Sequence, residues 1–144
     1  MHVEDILRAK GKTVETISQR ASVAEAALVM TNRRIGCLVV SSDGRSVEGL
    51  ITERDIVRAV AHRGDDAMRC EVSVVMSSSV PVCDPATDVV SLMRTMTDRR
   101  YRHVPVVDNG SLVGIVSIGD VVKQRLEGLE LEAMVLRDGF RSRH

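Results

Sequence analysis

Two stretches of the sequence place a glycine, a hydroxyl and a carboxylate at the same spacing. They are Gly49-x-x-Thr52-x-x-Asp55 and Gly114-x-x-Ser117-x-x-Asp120. Each follows an apolar run and is expected to open a helix, whose N-terminus attracts anions. A hydroxyl can donate to a phosphate oxygen, and a carboxylate can accept two hydrogen bonds from a ribose diol. The two motifs would therefore suit a phosphorylated nucleoside.

The same residues also fit a purely structural role. A Thr or Ser followed three residues later by an acid resembles a helix capping box, with Asp in place of the usual Glu. Such a cap needs no ligand and stabilises a helix by about 1 kcal/mol. It does not account for the glycine that precedes the hydroxyl in both motifs. On the sequence alone, both interpretations remain open.

The two motifs belong to an internal repeat. Met30-Thr31-Asn32-Arg33-Arg34 recurs as Met96-Thr97-Asp98-Arg99-Arg100, and the β runs that follow recur in the same order. Ser22 and Asp88 stand where the helix of each copy needs an N-cap. Several matches in register exclude a chance similarity.

Each copy shows the same order of elements. A short extended segment, 13–17 or 80–83, precedes the capped helix. Two β runs follow, separated by Asp43-Gly44 or by Asn109-Gly110 as tight turns. A second helix closes the copy. We therefore expect an α+β fold of two β-α-β-β-α repeats packed with approximate two-fold symmetry, with equivalent clefts near the seam.

The domain boundaries follow from this pattern. We expect a first repeat at 1–64, a polar linker at 65–71, a second repeat at 72–126, and a C-terminal helix extension and tail at 127–144. The last helix carries an apolar seam at heptad spacing, formed by Val122, Leu126, Leu129, Ala133 and Leu136. We expect this seam to contact a second copy of the chain in a homodimer. The alternative is a helix that lies on its own domain.

Composition excludes several classes of function. The 144 residues contain 20 Lys+Arg and 20 Asp+Glu, so the chain lacks the basic excess expected of a binder of nucleic acid or of an anionic membrane. No apolar run approaches a membrane span, and the first residues do not resemble a signal peptide. The three cysteines form no close pair, which favours reduced thiols in a cytoplasmic protein. Neither a nucleophilic triad nor a metal-ligand spacing is visible, so we expect no enzyme activity, no catalytic cofactor and no metal.

The sequence resembles a known family. Residues 3–126 are similar to the tandem repeats of the CBS (cystathionine β-synthase) domain, a pair often called a Bateman module. The resemblance depends on the two glycine–hydroxyl–aspartate motifs, on the preceding Met-x-x-x-Arg helices, and on Arg102-His103-Val104-Pro105-Val106-Val107-Asp108. It implies a regulatory sensor that binds AMP, ADP or ATP, or else NAD(H) or S-adenosylmethionine, often as a homodimer. Because no further domain is visible, we expect it to act on an unknown partner protein in trans.

The resemblance also implies a set of binding residues. Asp55 and Asp120 would hold ribose, Thr52 and Ser117 would face phosphate, and Arg54 and Arg102 would supply cations. The two clefts are named here after their motifs: the first cleft contains Thr52 and Asp55, and the second contains Ser117 and Asp120. The walls around adenine would come from Ile35, Gly36 and Cys37 in the first cleft, from Tyr101, Arg102, His103 and Pro105 in the second, and from Thr16, Val82 and Ile118 at the edges.

The two clefts are not expected to be equivalent. Glu53 lies inside the first motif and would repel phosphate, so the second cleft is expected to bind an adenine mononucleotide better. Two other functions compete with nucleotide sensing. One is a CBS scaffold that contacts a partner protein and binds no ligand. The other is an enzyme or thiol-redox protein, which would normally show a close cysteine pair.

Overall fold

The computed structural model describes the backbone of residues 1–142 and the side chains of residues 1–139. The first repeat contains a three-stranded sheet in the order β1-β2-β3, with β1 parallel to β2 and β3 antiparallel to it. Its elements are β1 (Thr16–Ile17), α2 (Val23–Arg33), β2 (Cys37–Val40), β3 (Gly49–Thr52) and α3 (Glu53–Arg63). The predicted cap at the start of α2 is confirmed, because the Ser22 hydroxyl accepts from the Glu25 amide at 3.1 Å.

The second repeat follows the same order with a smaller sheet. Its elements are α5 (Val89–Arg99), β4 (His103–Asp108), β5 (Ser111–Ser117) and α6 (Ile118–Ser142). The extended segment expected at 80–83 forms only one isolated bridge, between Cys83 and Val106. Prolines at 81, 85 and 105 lack the N–H that a longer ladder would need, which limits the pairing here.

The two predicted hairpin turns differ. Asn109 and Gly110 both have positive φ and connect β4 to β5 as a tight two-residue turn, as expected. The tight turn expected at Asp43-Gly44 is wrong: the connection between β2 and β3 is a loop over 41–48. Side chains replace the strand ladder there, because Asp43 Oδ1 accepts from the Arg45 and Ser46 amides and Glu48 Oε2 accepts from the Ser42 amide.

Two helices that the sequence analysis did not anticipate are exchanged between the repeats. Helix α1 (Val3–Lys10) packs into the core of the second repeat through Val3, Ile6 and Leu7. Helix α4 (Val72–Val75) packs into the core of the first repeat through Val72. This reciprocal placement matches the approximate two-fold relation of the repeats. The 3₁₀ helix Gly64–Arg69 begins at the last residue of the expected first repeat and covers most of the expected linker at 65–71, and its Ala67 is fully buried.

A third group of apolar residues forms the seam between the repeats. Cys37, Val39 and Leu50 of the first repeat are buried there, and Leu112 and Ile115 of the second repeat pack against them. Because the two sheets meet at this seam, the ends of their strands lie close to one another. This is where the clefts form.

The C-terminal helix α6 runs far beyond the body of the second repeat. Val121 is fully buried. The residues of the heptad seam expected along this helix, from Val122 onward, are exposed, and Leu136 is 75% exposed. The alternative in which this stripe lies on its own domain is therefore wrong for these residues. The last two residues of the expected tail, 143 and 144, lie outside the described residues. Within the part of the chain that the structure describes, no helix has the length and apolarity to cross a bilayer.

Candidate functional site

Both motifs form the capping box that their spacing allows. In the first, the Asp55 amide donates to Thr52 Oγ1 at 3.2 Å, and the Thr52 amide donates to Asp55 Oδ2 at 2.9 Å. In the second, the Asp120 amide donates to Ser117 Oγ at 3.1 Å, and the Ser117 amide donates to Asp120 Oδ2 at 2.9 Å. Each aspartate therefore uses Oδ2 in the cap, which leaves Oδ1 for other partners.

The glycine of each motif has a structural cause that the sequence did not show. A Cβ on Gly49 would lie 2.5 Å from the backbone oxygen of Ser77, which pairs with Leu50. A Cβ on Gly114 would lie 2.7 Å from Leu7 Cδ2, in the exchanged helix α1. Each glycine therefore makes room for a chain segment that crosses from the other repeat, for its backbone at Gly49 and for a side-chain end at Gly114.

The first cleft opens into a cavity of about 470 Å³. The first repeat supplies the motif residues Thr52 and Asp55 at the start of α3, and the second repeat supplies the corner between α5 and β4. The residues that line the cavity are Gly36, Leu50, Thr52, Glu53, Arg54, Asp55, Arg58, Ser77, Val80, Arg100, Tyr101, Arg102 and His103. The volume lies in the range of small-molecule sites.

Asp55 is buried at the floor of this cleft. Its side chain is 8% exposed, and Oδ1 lies 3.4 Å from the Ser77 hydroxyl and 3.9 Å from Arg58 Nη1. These two contacts to Oδ1 are long, since a hydroxyl donor normally lies within about 3.0 Å of its acceptor. Asp55 Oδ1 can therefore take a better donor if one enters the cleft.

The second cleft opens into a cavity of about 420 Å³ with a different lining. It brings Ser117 of the second repeat against the α2–β2 corner of the first repeat. The lining residues are Lys10, Thr13, Val14, Glu15, Arg33, Ile35, Gly36, Cys37, His103, Ile115 and Ser117. Arg33 Nε lies 3.5 Å from Glu15 Oε1, so these two charges are paired.

Asp120 does not line this cavity, because Lys10 holds it. Lys10 Nζ donates to Asp120 Oδ2 at 2.6 Å and to the backbone oxygen of Ile115 at 2.9 Å. Burial acts to raise the pKa of Asp120, but the hydrogen bonds from Lys10 and Ser117 outweigh it, so the pKa lies below its usual value. A ribose that reached Asp120 would have to compete with the Lys10 ammonium.

The corner residues lie in the opposite clefts from those expected. Tyr101 and Arg102 were expected beside Asp120, and they line the first cleft with Asp55. Ile35 and Cys37 were expected beside Asp55, and they line the second cleft with Ser117. The physical reason is the packing of the two sheets, which sets the corner of each repeat against the helix start of the other. Repeat-by-repeat reasoning could not show this.

The remaining expected residues fall into two groups. Gly36 and His103 line both cavities, and so form a wall that the clefts share. Four residues line neither cavity: Thr16 in β1, Val82, which is 53% exposed, Pro105, which is buried in β4, and Ile118, which packs against the second core. Val14 and Val80 stand at the edges where Thr16 and Val82 were expected.

His103 and Cys37 are poor candidates for chemistry. Burial, followed by the charge of Lys10, lowers the pKa of His103, while Asp120 and Glu53 act against this shift. His103 is thus favoured in its neutral form. Burial, together with the charge of Asp55, raises the pKa of Cys37 to about 12, so its thiolate is scarce at neutral pH. Among residues 1–139, no three His, Cys, Asp or Glu side chains are grouped so that they could hold a metal ion.

Sequence reasoning missed several lining residues. Arg58 follows Asp55 by three residues and shares its side of α3, which is a usable signal. Arg100 is the left-handed cap of α5, with φ of 58°, and its place beside the other repeat has no local signal. Lys10 had none either, since its contact with Asp120 spans 110 residues.

Comparison with known proteins identifies the architecture. A model of the CBS domain family matches residues 3–62 and 71–127. The CBS domain-containing protein CBSX3, mitochondrial, of Arabidopsis thaliana is 33% identical over 129 residues, which cover 84% of this chain and 63% of that protein. The chain thus spans somewhat less than two thirds of the length of that relative.

Solved structures agree with this result. The CBS-domain containing protein ATU1752 from Agrobacterium tumefaciens is 44% identical, with a TM-score of 0.84 over 87% of this chain and 99% of that one. The CBS domain pair of protein MJ0100, solved in complex with 5′-methylthioadenosine and S-adenosyl-L-methionine, is 26% identical, with a TM-score of 0.77 over 86% of this chain and 98% of that one. Two family matches in tandem, together with these folds, show that the chain belongs to the CBS domain family as a tandem CBS pair.

Proposed function

We propose that this CBS pair is a regulatory module that binds an adenosine-containing nucleotide in the clefts between its repeats and acts on a partner protein in trans. The observation that carries this proposal is the first cleft, where the buried carboxylate of Asp55 faces a cavity of about 470 Å³. Arginines from both repeats line the same cavity. A carboxylate suits a ribose diol, and guanidinium groups suit phosphate.

The wall of the first cleft supports adenine as the base. Leu50 and Val80 offer aliphatic surface on either side of the seam, and Tyr101 supplies an aromatic ring. The Tyr101 hydroxyl donates to the Ser79 backbone oxygen at 3.0 Å, and Arg99 lies 5.5 Å from the ring centroid, so the ring is held in place. AMP, ADP and ATP are the first candidates. NAD(H) and S-adenosylmethionine remain candidates, the latter supported by the complex of the MJ0100 pair.

The exposed face of α6 supports assembly of the module. The expected heptad seam is exposed along α6: Val122, Leu126, Leu129 and Leu136 are each at least 45% exposed in the single chain. A row of exposed apolar side chains on one helix face marks an interaction site in a soluble protein. We propose that a second copy covers it, which gives a homodimer. A cytoplasmic location likewise stays a prediction from the unpaired cysteines.

A scaffold that binds only protein is the second candidate. The complete capping boxes favour it, because they give both motifs a role without a ligand. The arginines of the first cleft argue against it, since a scaffold has no need of unpaired cations in a cavity.

Co-purified ligand and direct titration separate these two functions. The chain has one Tyr and no Trp, so bound adenine would dominate its near-ultraviolet absorption. Mass spectrometry of an acid extract would identify the compound. Titration of the nucleotide-free protein with AMP, ADP, ATP, NAD(H) and S-adenosylmethionine should then show saturable binding of at least one. A preparation that contains no nucleotide and binds none of the five would establish the scaffold instead.

A further inference from the structure

The two clefts differ in their charge. Four guanidinium groups line the first cleft, from Arg54, Arg58, Arg100 and Arg102, against the two carboxylates of Glu53 and Asp55. The second cleft has Lys10 and Arg33 against Glu15, and the ammonium of Lys10 is already matched by Asp120. The first cleft is therefore cationic by two charges, whereas the second is close to neutral.

The cations of the first cleft are available to a ligand. Among the described residues, Arg54, Arg100 and Arg102 take part in no ion pair. Arg58 reaches Asp55 Oδ1 only at 3.9 Å, and its side chain is 62% exposed, so this pair holds it weakly. Glu53 lies against Gly36, where a Cβ would come within 3.2 Å of Glu53 Oε1. One carboxylate at that wall does not offset cations that enter from both repeats.

Each cation of the second cleft already faces a carboxylate: Lys10 is held firmly by Asp120, and Arg33, which is 64% exposed, is held weakly by Glu15. Lys10 Nζ is shared between Asp120 Oδ2 and the Ile115 oxygen, and Arg33 Nε faces Glu15. A phosphate in this cleft would have to break one of these pairs and would lie near a carboxylate. The rest of the lining is largely uncharged, with Val14, Ile35, Cys37 and Ile115 on its walls.

We propose that the clefts divide their ligands by charge: the first binds adenosine that carries a chain of two or three phosphates, and the second binds an adenosine derivative without phosphate. This inference rests on the proposed function. It reverses the order expected from the motifs, in which Glu53 was to favour the second cleft for a phosphorylated ligand. The reversal follows because Arg100 and Arg102 belong to the first cleft. A chain of two or three phosphates presents more oxygens over a longer span and so can engage more of these guanidinium forks than a monophosphate can.

Isothermal titration of the full chain with ADP and with adenosine tests this division. The double variant Arg58→Ala/Arg100→Ala should weaken ADP binding by about 10- to 150-fold, the range for loss of hydrogen bonds to a charged group. Adenosine binding should stay unchanged. Arg94→Ala, an exposed α5 residue outside both clefts, is the matched control and should leave ADP binding unchanged. ADP binding should also weaken as salt rises.

Titration of ADP in the presence of adenosine provides a second measurement. Adenosine at a concentration that fills the second cleft should change the ADP dissociation constant by less than about two-fold, because adenosine lacks the phosphate contacts that hold ADP in the first cleft. Competition between them, or an Arg58→Ala/Arg100→Ala variant that binds ADP as the unmodified chain does, would overturn the division by charge while the proposed function stands. If neither ADP nor adenosine bound the unmodified chain, the division by charge would fall, and the proposed function would fall only if AMP, ATP, NAD(H) and S-adenosylmethionine also failed to bind. Melting curves, together with Arg58→Lys/Arg100→Lys, which keeps both charges, show whether a loss of affinity reflects unfolding.

Discussion

Lys10 Nζ lies 2.6 Å from Asp120 Oδ2 and thereby ties the last turn of the exchanged helix α1 to the start of α6. The same aspartate is the residue that the family resemblance assigns to ribose in the second cleft. The contact joins the N-terminal helix to a carboxylate that caps α6 beside Ser117, which lines this cleft. Occupation of Asp120 by a ribose would therefore release Lys10 and loosen the end of α1.

The Lys10–Asp120 pair predicts a specific effect of Lys10→Met. The pair is only partly exposed, at 32% and 23% of the two side chains, so its loss should destabilise the fold by about 1 kcal/mol. The pKa of Asp120 should rise toward its usual value, because its strongest partner is gone. A carboxyl-carbon NMR titration measures this directly. Lys12→Met is the control, since Lys12 is exposed, and equal Asp120 pKa values in the two variants would refute the assignment.

Replacing each motif glycine by alanine should show, from the loss of stability, which neighbouring chain segment can move to make room for a Cβ. Gly49→Ala should destabilise the fold by about 1 to 3 kcal/mol, because its Cβ meets the Ser77 backbone oxygen at 2.5 Å. Gly114→Ala should cost less, since the atom at 2.7 Å is the end of the Leu7 side chain, which can move. Gly128→Ala is the control: it lies inside α6 with only Met1 at 4.0 Å and should stabilise by up to about 1 kcal/mol. Urea unfolding of the three variants gives the order, and a Gly114→Ala loss equal to that of Gly49→Ala would contradict this account.

His103 should make stability depend on pH between neutrality and mild acid. Burial lowers its pKa in the folded chain below the usual 6.5, so just below that pH the unfolded chain binds a proton that the folded chain does not. Stability is therefore fully present above pH 6.5 and falls as the pH drops toward the lowered value. His103→Gln should flatten this part of the profile. His62→Gln, at an exposed position of α3, should not, and the opposite result would show that His103 is not the group responsible.

Negative charge on the apolar heptad seam of α6 should dissociate the proposed homodimer. Leu129→Glu/Leu136→Glu places two carboxylates on the face proposed to meet a second copy, where they would be buried without partners. Light scattering should give a dimer or larger species for the unmodified chain and a monomer for the variant, with ADP binding retained. Val74→Glu, an exposed apolar position on α4, serves as the control. A monomeric unmodified chain at micromolar concentration would refute the dimer.

The local features of this fold could be predicted from the sequence. The caps at Ser22 and Asp88, the Asn109-Gly110 turn and the capped starts of α3 and α6 each depend on residues within three or four positions of one another. Because all the residues that form each of these features are close together along the chain, the sequence alone was enough to predict them.

The features that the sequence did not show depend on distant contacts. The exchange of α1 and α4 is decided by which core accepts Leu7 and Val72. The cleft composition depends on how the two sheets face one another, and this placed Arg102 beside Asp55 rather than Asp120. The loop at 41–48 is also held by distant segments, because the Arg45 backbone oxygen accepts from the Leu112 amide and Glu48 Oε1 accepts from Gln19 Nε2, each at 2.8 Å. None of these has a periodic or local signature.

Titration of ADP against Asp55 variants tests the central claim most directly. If Asp55 holds ribose in the first cleft, Asp55→Ala should raise the ADP dissociation constant by about 10- to 150-fold. Asp55→Asn, which keeps the shape and one acceptor, should raise it less, and Asp120→Ala should leave it within about two-fold. The contradictory result is unchanged ADP affinity in both Asp55 variants with a melting temperature lowered by a few degrees, which would mean that Asp55 serves only as the cap of α3.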